Sequence, residues 1–201
     1  IVPQHDNSLY GAWIIAELYE PLVAISEDGQ FIPGAAERWQ VSDDGLLYTF
    51  SLRPLAKWSD GTPVMAADFA LPFQQLAGKS SYFLDRLAPI AGMSAPYQPG
   101  DDGFGVQAEG SHTLTIRLTT PLPTLIPLLS HRALSPVPSH LFASLGDAWL
   151  DKQPIFNGPY QLLDIRPDQV RASKNPHYWD HENVAIEQIV FLTRKNKKQL
   201  T

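Results

Sequence analysis

Two histidines, His177 and His181, stand four residues apart, the spacing that places two imidazoles on one face of a helix where they could share a metal ion. Asn175-Pro176 precedes them and Tyr178-Trp179-Asp180 lies between them, which favours a turn. On a turn that spacing has no special meaning, and no metal site is expected. The carboxylate pairs Asp43-Asp44 and Asp101-Asp102 fall beside glycines, where Asp serves local turn hydrogen bonds rather than acid–base chemistry. There is no G-x-S-x-G elbow, no H-E-x-x-H pair and no phosphate-cradling glycine pattern. The run Gly100 to Gly105, G-D-D-G-F-G, does not sit between a strand and a helix as a dinucleotide fingerprint must. With no cysteine in 201 residues, a disulfide framework, a thiolate zinc site and a cysteine nucleophile are excluded. An enzyme is therefore not expected, nor is a cofactor.

The elements that must position any site follow from periodicity. Leu9, Trp13, Ala16 and Leu18 recur at helical spacing, predicting a helix within 7–24. Val23-Ala24-Ile25 reads as a short strand entering the turn Ser26 to Gly29. Ala35 to Gln40 is read as a short helical or irregular piece carrying Trp39. Leu46 to Arg53 alternates, with Tyr48, Phe50 and Leu52 on one face, and Thr113 to Leu118 alternates likewise; both predict half-buried strands of one sheet. Ala66 to Leu76 predicts a helix that must accommodate Pro72 in its first turn or as a kink. Leu122 to Leu129 predicts a short helix, and Ser139 a cap for a helix over 140–145. Tyr160 to Ile165, Gln169 to Ser173 and Ile186 to Leu192 predict further strands. The Gly- and Pro-rich stretch 89–105 predicts a surface loop.

Composition narrows the function. Fifteen Lys and Arg against 21 Asp and Glu give a net charge of −6, a poor match to nucleic acid or an anionic membrane surface. The one basic run, Arg194, Lys195, Lys197 and Lys198, suits a solvated helix start. The most apolar windows, 9–16 and 122–129, are far too short to span a bilayer.

Several phrases combine aromatic and turn residues: Gly34 to Trp39, Asp44 to Arg53, and Lys57-Trp58-Ser59-Asp60-Gly61-Thr62-Pro63-Val64 running on to Asp68-Phe69. Ser135-Pro136-Val137-Pro138, Asn157-Gly158-Pro159-Tyr160 and Lys174 to Asp180 follow. In order and spacing they resemble the extracellular solute-binding proteins of peptide ABC transporters, the oligopeptide- and dipeptide-binding family. The resemblance runs over essentially the whole chain but matches only the first two-fifths of such a protein.

That resemblance implies a mixed α+β fold: a partial periplasmic-binding-protein-like lobe with an inserted small antiparallel-sheet domain. Residues 1–19 would start lobe I, 20–138 form the inserted domain, and 139–201 return into lobe I, with lobe II and a C-terminal segment outside the chain. It implies a monomeric receptor that captures extended oligopeptides by lobe closure and hands them to membrane permease subunits. Its place would be the periplasm or the cell exterior, lipid-anchored in a Gram-positive host, with any leader outside this chain. The same scaffold resembles ligand-sensing domains of regulators and receptors for nickel chelates, haem or sugars, which are the alternatives. By resemblance, the segment Asn7, Ser8 and Leu9 would pair its backbone with the peptide as an added strand does. Asn7 or Ser8 could equally cap the helix that follows. Tyr82 would lie against the peptide and His131 near the ligand cavity; each could instead be an ordinary half-buried residue. Residues that pin the ligand termini by charge would belong to lobe II, so this chain alone is expected to bind free peptides weakly or not at all.

Overall fold

The computed structural model describes residues 8–81 and 83–192. Asn7, Tyr82 and the basic run 194–198 lie outside them. Five α-helices and nine strands alternate with 3-10 turns among these residues.

Helix α1 spans Leu9–Leu18, shorter than the 7–24 window, because Tyr19 leaves helical geometry at φ −125° and ψ 132° ahead of Pro21. Strands β1 (Val23–Ile25) and β2 (Phe31–Pro33) form a two-stranded hairpin around the Ser26–Gly29 turn. Strands β3 (Ala36–Val41), β4 (Leu47–Leu52), β5 (Val106–Glu109) and β6 (Thr113–Arg117) make an antiparallel sheet in the order β3-β4-β6-β5. Strands β7 (Tyr160–Ile165), β8 (Gln169–Lys174) and β9 (Gln188–Leu192) make a second, again antiparallel, in that order.

The alternation is obeyed in β4, whereas in β6 Thr115 is buried as well as its neighbours Leu114 and Ile116. Tyr48, Phe50 and Leu52 are buried from β4, and Leu114 and Ile116 from β6, with Phe50 opposite Leu114 in register. Residues 35–40 are not helical. Ala36, Glu37 and Arg38 have good helix propensity, but pairing with β4 over Ala36–Val41 overrides it, with a bulge between Ala36 and Arg38. Strand β5 carries no recognisable sequence pattern: it is four residues long and buries only Val106.

Helix α2 (Ala66–Leu76) packs on β5 and β6, and Phe69, Ala70 and Phe73 are among its buried residues. Pro72 lies beyond its first turn. A proline there cannot donate to the carbonyl four residues back. The freed Asp68 carbonyl instead accepts from the Val137 amide at 3.0 Å, so the break in the helix ladder is filled by the Ser-Pro-Val-Pro segment. Helix α3 is Leu125–Leu128 and α4 Ser139–Leu145. Pro138 occupies the cap position of α4; Ser139 is its first helical residue, and its hydroxyl is committed elsewhere. Helix α5 (Trp149–Lys152) closes the segment before β7. No helix among the described residues is long and apolar enough to cross a membrane.

Candidate functional site

Two buried carboxylates organise the molecule. Asp68, 1% exposed, sits in the first turn of α2 and accepts four hydrogen bonds. Its Oδ2 takes the Trp58 indole N–H and the Met65 amide, each at 2.9 Å. Its Oδ1 takes the Ser139 amide at 2.8 Å and the Ser139 hydroxyl at 2.6 Å. A buried carboxylate is tolerable only when its lone pairs are met in this way. The tryptophan and aspartate of the Lys57–Phe69 phrase are thus halves of one contact, and Ser139 joins it from 71 residues away.

Glu20, 8% exposed, follows α1 and is the second. Its carboxylate accepts from the Tyr178 hydroxyl at 2.6 Å and from the Trp179 indole N–H at 2.9 and 3.1 Å. Its main chain is gripped by Asn157, which accepts from the Glu20 amide at 3.1 Å and donates to the Glu20 carbonyl at 2.9 Å. Arg53 lies over the Trp179 ring at 3.6 Å while its Nε donates to the Gly34 carbonyl at 2.8 Å. Burial pushes the Glu20 carboxyl up from 4.5 to about 7, although the Tyr178 and Trp179 hydrogen bonds and the Arg53 charge oppose the rise; Asp180 adds to it. Next to Asn157, Gly158 leaves no room for a side chain: a Cβ there would lie 2.6 Å from the Leu18 carbonyl carbon. Asn175, fully buried, donates to the Gly158 carbonyl at 2.9 Å and accepts from the His177 amide at 3.0 Å. The Asn157–Tyr160 and Lys174–Asp180 phrases therefore meet one another and the end of α1.

Ser8 is the cap of α1: its backbone is extended at φ −80° and ψ 147°, and its Oγ accepts from the Gly11 amide at 2.9 Å. Leu9 is the first helical residue. His131 follows α3 and caps the 3-10 turn Arg132–Leu134. Its Nδ1 accepts from the Ala133 amide at 3.2 Å, so the neutral ring carries its proton on Nε2. The ring stacks on Phe83 at 3.9 Å between centroids. Burial, then the Arg132 charge, holds its pKa below the usual histidine value. His131 is thereby a rigid, neutral N–H donor at physiological pH.

Helix α1 packs against the Arg132–Leu134 turn that His131 caps. Between them runs a cavity of about 270 Å³, walled by Ala12, Ile15 and Ala16 of α1, by Tyr19 just after it, and by Ser130 and Arg132 opposite. His177 and His181 occupy a turn and a 3-10 segment, as the surrounding residues predicted. Among the described residues no three His, Cys, Asp or Glu side chains gather as a metal site would require. Sequence reasoning singled out neither Glu20 nor Asp68 as an anchor. The available signal was an acidic residue inside an otherwise apolar run, Leu18-Tyr19-Glu20-Pro21-Leu22 and Ala66-Ala67-Asp68-Phe69.

The family model of the bacterial extracellular solute-binding proteins, family 5, matches residues 30–200. The chain belongs to that family. Among family-5 relatives, the periplasmic oligopeptide-binding protein OppA of Salmonella typhimurium is 36% identical over 185 residues, 88% of this chain and 34% of the relative. The probable deoxycholate-binding periplasmic protein YgiS of Escherichia coli is 31% identical over 96% of this chain and 38% of its own length. Of solved family-5 structures, OppA of Burkholderia pseudomallei superposes with a TM-score of 0.84 at 32% identity, covering 96% of this chain and 39% of that one. The pheromone receptor PrgZ superposes at 0.86 and 29% identity, covering 97% and 41%. The chain thus spans about a third of the length of the curated relatives it matches. The mixed fold, with its separate antiparallel sheets, is that of the family-5 binding proteins over this portion. Family 5 consists of solute-binding proteins rather than enzymes.

Proposed function

We propose that this chain is the part of a peptide receptor that holds one side of an extended oligopeptide, for delivery to the permease of an ABC importer outside the cytoplasmic membrane. The observation that carries the reading is its 36% identity to a periplasmic oligopeptide-binding protein over nearly all of this chain. The start of α1 suits the task. The amide of a first helical residue has no acceptor within its helix, and Ser8 is already extended. Asn7, Ser8 and Leu9 offer main-chain groups to a peptide of any sequence, as an added strand does. His131 supplies its Nε2–H to a ligand carbonyl, and Tyr82 an aromatic face.

Residues 1–19 and 139–201 belong on this reading to one lobe and 20–138 to an inserted domain. In support, the four-stranded sheet draws only on residues 36–117 and the three-stranded sheet only on 160–192. The receptor acts as a monomer and closes by hinge motion over its ligand. Similarity to the probable deoxycholate-binding relative favours one alternative, a non-peptide solute.

Amide NMR titrations with trialanine and with deoxycholate separate the two. Shifts confined to Ser8–Gly11 and the His131 turn on adding trialanine are expected. Shifts there with deoxycholate alone overturn the peptide reading.

A further inference from the structure

Asn157-Gly158 is the only Asn-Gly pair in the sequence. In a flexible chain such a pair is chemically labile. Glycine has no side chain to hinder its amide nitrogen from reaching the asparagine side-chain carbon. The Gly158 nitrogen loses its proton to hydroxide and bonds to the Asn157 Cγ. The bond from Cγ to Nδ2 breaks, and Nδ2 leaves as ammonia after taking a proton from water. Water then opens the resulting succinimide at either carbonyl and leaves aspartate or isoaspartate. One water is consumed, one ammonia is released, and nothing is oxidised or reduced.

The fold withholds every part of this reaction. The Gly158 amide donates to the Leu18 carbonyl at 3.0 Å. The Asn157 Nδ2 donates to the Glu20 carbonyl at 2.9 Å, and its Oδ1 accepts from the Glu20 amide at 3.1 Å. Nitrogen and carboxamide are thus tied to different residues at the end of α1. Gly158 is in close contact with the Leu18 main chain, so it has no room to turn toward Cγ. Asn157 is 3% exposed, which keeps water and hydroxide away.

Neither product fits the same place. An aspartate at this position can still accept from the Glu20 amide, but its other oxygen faces the Glu20 carbonyl, acceptor against acceptor, and brings a buried charge. An isoaspartate lengthens the main chain by one carbon just where Gly158 meets Leu18.

We infer that Asn157-Gly158 is a latent deamidation site: the joint between the end of α1 and the Asn157–Tyr160 segment keeps it unreacted, opening of that joint exposes it to water, and the reaction makes the opening permanent. Transient openings therefore accumulate as one-way loss of native chain. The lifetime of the folded protein is set by a local event at this joint as well as by global unfolding.

The test incubates the 201-residue chain at pH 8 in buffer and in urea, with peptide mapping by mass spectrometry to follow conversion at Asn157. In urea Asn157 should react as fast as it does in the free peptide Phe-Asn-Gly-Pro-Tyr. In buffer it should react at least about a hundredfold more slowly, because the joint is rarely open. Hydrogen exchange of the Gly158 amide, which the Leu18 carbonyl holds, measures the open fraction independently. The rate in buffer should equal that fraction times the rate in urea. Leu18→Ala keeps every main-chain partner but loosens the joint, and should speed the reaction in buffer at least about fivefold while leaving the rate in urea unchanged. The wild-type comparison stands whether or not that variant folds. Chain converted in urea and returned to buffer should unfold at lower urea than untreated chain. Rates in buffer and urea within about threefold of each other, or a Gly158 exchange rate unrelated to the reaction rate, would show that the joint does not guard the site. Converted chain that regains the untreated urea midpoint would show that the step is not one-way.

Discussion

Replacing Glu20 by glutamine should change how stability depends on pH. In the fold the Glu20 carboxyl titrates at about 7 instead of 4.5, and burial is the main cause. A carboxyl whose folded pKa is raised favours the folded state fully below the unfolded value, and that contribution is lost as pH rises through the folded value. Between pH 4.5 and about 7 the wild type should therefore lose on the order of 3 kcal/mol through this one group, with no further loss above that range. Glutamine keeps an oxygen to accept from Trp179 or Tyr178 but carries no charge to desolvate. Urea unfolding at pH 5, 6, 7 and 8 measures both proteins. Subtracting the two profiles cancels the remaining histidines and carboxylates. Glu20→Gln should match or fall below the wild type at pH 5 and exceed it at pH 8. A wild type whose stability rises over this window relative to Glu20→Gln would show that the Arg53, Tyr178 and Trp179 contacts outweigh burial and refute the reasoning. Parallel profiles would show that Glu20 does not titrate there at all.

Trp58 is fully buried and donates to Asp68, so Trp58→Ala should cost about 3–5 kcal/mol in the same melts; a loss under about 0.5 kcal/mol would place the ring at the surface. Gly158→Ala forces a methyl against the Leu18 backbone and should cost about 1–3 kcal/mol, whereas Gly29→Ala meets no atom within 4 Å and should cost only the strain of its positive φ.

The parts of this fold that sequence pattern revealed are those where one local rule acts alone. Tyr48, Phe50 and Leu52 alternate because β4 lies in the interior of its sheet with one face buried, and the period survives in the residue types. Strand β3 is an edge strand whose residues Glu37 to Val41 are intermediate or exposed, so burial imposes little pattern and Ala-Glu-Arg reads as helix. Ser139 shows the same limit at one residue. Its type and position suit a cap, but Asp68, 71 residues earlier, holds its hydroxyl. The site was legible to a similar depth. Ser8 and His131 were named from resemblance, and the fold supplies what no spacing could: Ser8 ends in a cap geometry, and His131 is locked as an Nε2–H donor by Ala133 and Phe83. The walls of the neighbouring cavity come from residues 12–25 and 130–135, joined only by folding.

Main-chain pairing of a peptide at the start of α1 is the central claim, and Leu9 allows a clean test of it. Proline is well accepted at a first helical position, and Ser8 already has the extended geometry that a following proline demands. Leu9→Pro therefore removes one amide donor at little cost to the helix, while Leu9→Ala keeps it. Trialanine affinity, read from NMR titration of each protein, should fall by about tenfold in Leu9→Pro and stay within about twofold of wild type in Leu9→Ala. Equal affinity in the proline and alanine variants would mean that the Leu9 amide holds no peptide, and the account of this chain as a main-chain-pairing receptor would be wrong.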